Sequence, residues 1–125
     1  MKAIYFETSA LLAWIFGEST SAEVKRQIDD AEAVVTSVLT FLEAERAFIH
    51  AEVKGLTSAG DAERVRGLLA QSQAGWILME ISEDVRSRAC RFFPAEPIWT
   101  LDAIHLATAL VFTRVFSSLE ILTYD

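Results

Sequence analysis

Four acidic residues fall where a folded chain could bring carboxylates together: Glu7, Glu43, Asp102 and Asp125. Glu7 directly follows a short apolar run, AIYF, and Asp125 directly follows another, EILTY. Asp102 stands in the opening turn of a helical pattern that begins beyond the Pro94–Pro97 break, where the positive helix end favours a negative charge. Glu43 stands in the second turn of the helical pattern that follows the β-branched run AVVT. Carboxylates that converge need a cation between them, and hard oxygen donors without Cys or His partners select Mg²⁺ or Mn²⁺ over zinc. Each acid also has a plainer explanation. Asp102 could simply serve its helix end, Asp125 is solvated by default, and Glu43 competes with Glu45 on another face of the same helix. Placement alone leaves both readings open.

No Ser/His/Asp or Cys/His set is offered for covalent chemistry. The single cysteine, Cys90, excludes a disulfide framework and a four-cysteine zinc site. Cys90 is expected to pack beside Phe92 and Phe93. His105, three residues past Asp102, sits on a neighbouring helix face, and a structural or supporting role is expected there rather than general-base catalysis. His50 belongs to no pattern and is expected on the surface. Arg86, Arg88 and Arg91 recur along one helical stretch; a solvated face is expected, with phosphate contact as the functional alternative.

The elements that must position these residues alternate. Ala3–Phe6, Ala33–Thr36, Trp76–Ile81 and Glu120–Tyr124 read as short buried strands. Between them, Thr8 or Ser9 can cap a helix over Ala10–Phe16 that Gly17 ends, and Ser21–Asp30 reads as a polar helix. Ser37 caps a long helix to about Lys54, stopped by Gly55, and Thr57 starts another towards Gln73. Ser82 opens a helix that Pro94 stops, and Thr100 caps one from Leu101 to about Val111. Strands alternating with helices, and apolar in runs, predict an α/β fold: three layers, α/β/α, around a central mainly parallel sheet. Such sheets bind ligands at the carboxyl ends of their strands, which is where the acids collect.

The chain has 125 residues, the size of one domain, and 52% of them are hydrophobic, which excludes intrinsic disorder. Eleven basic against eighteen acidic residues give a net charge of −7. A nucleic-acid binder with that balance needs cations or a local basic patch to offset its field. Mean hydropathy is +0.29, yet no apolar run approaches the roughly 18–20 residues of a membrane span. The N-terminus, with Glu7 ahead of its longest apolar stretch, does not read as a signal peptide. A cytoplasmic protein is expected.

The wording around each acid resembles a known family. YFETSALL (Tyr5–Leu12), TSVLTFLEAERA (Thr36–Ala47), LDAIHLATAL (Leu101–Leu110) and LTYD (Leu122–Asp125) are similar, in order and spacing, to the motifs of PIN domains. They are most similar to the small VapC-type ribonuclease toxins of prokaryotic toxin–antitoxin pairs. The resemblance implies a metal-dependent endoribonuclease that hydrolyses RNA phosphodiester bonds with Mg²⁺ or Mn²⁺. Carried over by position, the metal-binding and catalytic acids are Glu7, Glu43, Asp102 and Asp125. The supporting hydroxyls fall on Thr8 or Ser9 and on Thr123, and Arg46 is placed to orient a carboxylate or meet substrate. A cognate antitoxin whose C-terminal segment crosses the site, and a homodimer, are the implied partners.

Two departures stand out. The family's first acid is nearly always Asp, and here it is Glu7, which raises the alternative of a catalytically degenerate PIN domain acting as a binding or regulatory module. Family members usually continue past the fourth acid with a helix and a short edge strand. The sequence stops at Asp125, so a single PIN-like domain over residues 1–125 is expected, either abbreviated or cut there. A receiver-type α/β domain would also carry acids at strand ends. It needs a phosphoacceptor Asp on a middle strand and a Lys near the last, and neither is present.

Overall fold

A computed structural model describes residues 2–17 and 19–124; Met1, Glu18 and Asp125 lie outside the described residues. The elements run β1 (Ala3–Phe6), α1 (Thr8–Ile15), α2 (Ser21–Asp30), β2 (Ala33–Ser37), α3 (Val38–Val53), α4 (Ala59–Gln73), β3 (Ile77–Met79), α5 (Glu83–Ala89), α6 (Thr100–Phe112) and β4 (Leu119–Leu122). The strands form one sheet in the order β3-β2-β1-β4, every pair parallel. Parallel neighbours cannot be joined by a hairpin, so each crossover carries helices and these cover the two faces.

Alternation along the inner strands assigns the faces. Phe6 and Val34 pack with Ala10, Leu11, Val24, Phe48 and Leu69 from α1 to α4. Their neighbours Tyr5 and Val35 point the other way, onto Ala109 and Phe112 of α6. Next to that second core, Val85 of α5 packs with Ala103, Ala107 and Val111 of α6. Small residues at 103 and 107 let α6 lie close to α5. The first core is closed by aromatic side chains, with Phe6 stacked on Trp76 at 5.0 Å between ring centres. Each fully buried Phe of this kind contributes roughly 1.5–3 kcal/mol. The expected three-layer α/β/α domain is present.

Burial on both faces holds for β1 and β2 only. The outer strands are partly open, Ile77 being 45% and Ile121 43% exposed. Edge strands have one neighbour and less helix cover, so the expectation of four buried strands is corrected at both edges. β3 is also shorter than expected, three residues against six.

The caps explain the remaining differences. Ser37, Ser58 and Ser82 accept backbone N–H groups from Leu39, Asp61 and Val85. Ser58 therefore replaces Thr57 as the start of α4. Gly17 and Gly55 take φ of 65° and 71°, the left-handed conformation that ends α1 and α3. Thr100 is the first residue of α6 rather than its cap, and the capping position is Trp99, with no side-chain bond. Helix α5 stops at Ala89, well before Pro94. Cys90 becomes its C-cap and is exposed, so it does not pack as expected. Nor do the three arginines form one face: Arg86 and Arg91 are exposed, while Arg88 turns over the Phe93 ring at 4.3 Å.

Candidate metal and active site

The chain runs outward from β1 through β2 to β3, then returns to place β4 on the other side of β1. The switch point therefore lies at the carboxyl ends of β1 and β4, where such sheets bind ligands. Glu7 follows β1 there, and its backbone N–H is bonded to Leu122 of β4. Glu43 reaches the same edge from α3, and Asp102 from the first turn of α6. All three line one open cavity of about 470 Å³, with Trp99, Thr100, Leu101 and His105. A smaller cavity of about 200 Å³ adjoins it, sharing Glu7, Asp102 and His105 and adding Tyr5, Ile121 and Thr123. Asp125 lies outside the described residues.

Two of the acids are held by one oxygen each. Glu7 is the N-cap of α1, a place expected for Thr8 or Ser9: its Oε2 accepts from the Ser9 N–H at 2.9 Å. The same oxygen accepts from Ser9 Oγ at 2.5 Å and Thr123 Oγ1 at 2.9 Å. Ser9 Oγ in turn accepts the Tyr124 N–H at 2.8 Å, tying the end of β4 to the start of α1. Glu43 Oε1 accepts from Thr8 Oγ1 at 2.6 Å and meets His105 Nε2 at 2.7 Å. The Tyr5 hydroxyl meets the other ring nitrogen, Nδ1, at 2.8 Å. Among the described residues, no hydrogen bond is made by Glu7 Oε1, Glu43 Oε2 or the Asp102 carboxylate. The hydroxyls of Thr8, Ser9 and Thr123 are thus turned onto carboxylates.

Glu45 points away to the surface and pairs with Arg66 at 3.0 Å, so Glu43 is the acid of α3 that faces inward. Asp102 is placed by the loop before α6, where the Glu96 carboxylate accepts from the Phe93 and Ile98 N–H groups at 2.8 Å each. Arg46 is exposed beside the site. It lines a shallow groove of about 590 Å³ with Leu39, Leu42, Glu43, Ala47, His50 and Leu101. That groove shares Glu43 and Leu101 with the acid cavity.

Donor chemistry fits a hard divalent cation: three carboxylates, with His105 occupied at both nitrogens and no thiolate. Among the described residues, no three His, Cys, Asp or Glu side chains are grouped as they would be around an ion. The three acids border the cavity instead.

Tyr5 and Trp99 were not singled out from the sequence. Tyr5 carried a usable signal, because a Tyr inside a buried apolar strand must find a partner for its hydroxyl. Burial pushes the Tyr5 phenol well above its ordinary range, so it stays protonated and can donate. Trp99, 81% exposed at the rim, carried none beyond its place after Pro97.

An α/β/α sandwich with acids gathered at the switch point of a parallel sheet defines a class, and comparison with known proteins agrees: a PIN domain is matched over residues 4–125, and the chain belongs to the PIN-domain family. Ribonuclease VapC35 of Mycobacterium tuberculosis is 35% identical over 124 residues, 98% of this chain and 84% of the relative. Two solved structures share the fold. A toxin–antitoxin complex from Klebsiella pneumoniae gives a TM-score of 0.66 at 21% identity, covering 98% of this chain and 86% of that one. The sarcin–ricin loop cleaving toxin VapC20 of M. tuberculosis gives 0.61 at 16% identity, covering 98% and 89%. No helix among the described residues is long and apolar enough to cross a membrane.

Proposed function

We propose that this chain is a Mg²⁺- or Mn²⁺-dependent endoribonuclease, the toxin of a toxin–antitoxin pair, that hydrolyses RNA phosphodiester bonds in the cytoplasm. One observation carries the reading: Glu7, Glu43 and Asp102 border a single cavity at the sheet's switch point, two of them with one oxygen anchored and the other unbonded. The curated relative, named a ribonuclease, supports the reaction class.

In this reading Glu7, Glu43 and Asp102, joined by Asp125, hold the cation. When bound, a divalent ion supplies charge neutralisation at the phosphodiester and a more acidic water. The residues of the chain do the rest. Ser9 and Thr123 fix Glu7, and Thr8 fixes Glu43. The Arg46 guanidinium is the group beside the cavity suited to a phosphate oxygen, which would relieve the repulsion that a net charge of −7 imposes on RNA. Water adds to phosphorus, the P–O bond to the leaving sugar oxygen breaks, and that oxygen takes up a proton. No side chain becomes covalently attached.

A cognate antitoxin is the proposed partner, a reading supported by the toxin–antitoxin complex among the structural neighbours. Its C-terminal segment is proposed to cross the acid site, along the groove beside Arg46 that shares Glu43 with it. A homodimer is proposed as the working form. The test is cleavage of an RNA oligonucleotide by the purified chain with Mg²⁺, with Mn²⁺ and with a chelator. Cation-dependent cleavage that Asp102→Asn abolishes is expected. Cleavage unaffected by a chelator, or retained in Asp102→Asn, would remove the metal assignment.

A further inference from the structure

His105 is 5% exposed and bonded at both ring nitrogens. A leucine would fill that position on α6 without the cost of burying two polar atoms, so packing alone does not account for an imidazole. Its bonds have a direction. A carboxylate oxygen accepts, so Nε2 carries the hydrogen that Glu43 Oε1 receives at 2.7 Å, and in the neutral ring Nδ1 then accepts from the Tyr5 hydroxyl at 2.8 Å. Thr8 Oγ1 stands 3.3 Å from the same Nε2 and gives its own hydrogen to the same Glu43 oxygen. The chain of contacts starts in β1, passes through α6 and ends on α3, and it stops at the acid cavity.

We propose that His105 is a positioning residue: held by Tyr5, it donates from Nε2 to Glu43 Oε1 and so fixes Oε2 as the oxygen presented to the cation. The proposal rests on the metal reading above. The reason for such a device is the length of a glutamate. Three side-chain torsions separate its carboxylate from the helix, whereas metal sites need placement to about half an ångström. Two donors converging on one oxygen remove that freedom. Asp102, shorter by one torsion, has no such support among the described residues.

The test is Mn²⁺ binding by the full chain, followed by paramagnetic resonance of free Mn²⁺, together with nitrogen NMR of the histidine rings. His105→Leu is expected to weaken Mn²⁺ binding about 10- to 100-fold, as loss of an outer partner does at other metal sites. His105→Gln, whose amide can still donate to Oε1, is expected to restore most of that loss. Tyr5→Phe deletes one oxygen, keeps the ring, and is expected to weaken binding by a smaller factor. It serves also if His105→Leu does not fold. A purely structural role would lower the melting temperature and leave the Mn²⁺ affinity of the folded protein unchanged. Equal affinity in wild type, Tyr5→Phe and whichever His105 variants fold would overturn the proposal, as would a His105 ring carrying hydrogen on Nδ1 and none on Nε2. A wild type that binds Mn²⁺ but ignores these changes leaves the metal reading standing. A wild type that binds none removes both.

Discussion

The two glutamates at the mouth of the sheet are anchored in opposite ways. Glu7 is held at the surface by the Ser9 N–H, Ser9 Oγ and Thr123 Oγ1, all on segments that leave β1 or β4. Glu43 is held from beneath by Thr8 and His105, both buried, with Tyr5 behind them. The first anchor joins a helix cap to the exposed end of β4, and its Thr123 bond is open to replacement by water. The second spans four elements and its donors, Thr8 and His105, are buried, so each bond lost there leaves a buried group unsatisfied. The difference predicts that the Glu7 corner tolerates change while the Glu43 corner couples binding to the fold.

The largest effect is expected from removing charge on either side of that comparison. Glu43→Gln and Glu7→Gln should each reduce RNA cleavage by at least about 100-fold, because a bound cation is worth several kcal/mol to the transition state. Melting temperatures should move little, since both amides keep their hydrogen-bond acceptor. If Glu7→Gln cleaves like wild type, Glu7 is no ligand, and the exposed corner is structural only.

Next come the anchors themselves. Thr8→Val should cost about 1–3 kcal/mol of stability by removing a buried donor, whereas Ser9→Ala should cost less than about 1 kcal/mol, water replacing the hydroxyl. Denaturant titration of the two variants compares the corners directly. Equal losses would refute the contrast between buried and exposed anchoring.

A third test uses pH. Burial raises the Tyr5 phenol above its ordinary value, so in the alkaline range the unfolded chain gives up this proton before the folded one does. Stability from this group is complete below about pH 10 and falls as pH rises beyond it. Thermal melts between about pH 9 and 11 should show a steeper decline for wild type than for Tyr5→Phe. Parallel declines would mean that the Tyr5 hydroxyl is not held out of water.

Much of this was legible in the sequence, and the failures share a cause. Ala3–Phe6 and Ser21–Asp30 were readable to the residue, because an apolar run ending in an acid and a polar helix between turn residues are local signals. The three acids on the cavity stand at a strand end and in early helix turns, but that placement left a plain reading open for each. Only the resemblance to PIN-domain motifs singled them out, Glu43 over Glu45 included. Glu7 as a helix cap was not readable, since Ser, Thr, Asp and Asn are the usual capping residues and two of them follow it. Cys90 was misplaced because Pro94 marks the last possible end of α5, not the actual one. The link from Tyr5 through His105 to Glu43 joins residues 62 and 100 positions apart, and no local pattern carries such a pairing.

The smallest effect, and the sharpest test of the tolerant corner, is Glu7→Asp. Aspartate is a better capping residue than glutamate, so the bond from the Ser9 N–H can be kept and stability should change by no more than a few tenths of a kcal/mol. The free oxygen then withdraws by about one carbon–carbon bond, roughly 1.5 Å. Thr123 lies on the exposed segment after β4 and can follow the carboxylate, while the Ser9 N–H at the helix end is kept, so cleavage should be retained or raised. At the Glu43 corner the same shortening should detach the carboxylate from both Thr8 and His105, whose positions are fixed by the core. Glu43→Asp should therefore lose cleavage where Glu7→Asp does not. A silent wild type that Glu7→Asp awakens would instead mark the glutamate as the residue that disables the site. Loss of cleavage in a well-folded Glu7→Asp would show that the longer reach is required, and that the exposed corner is as exacting as the buried one.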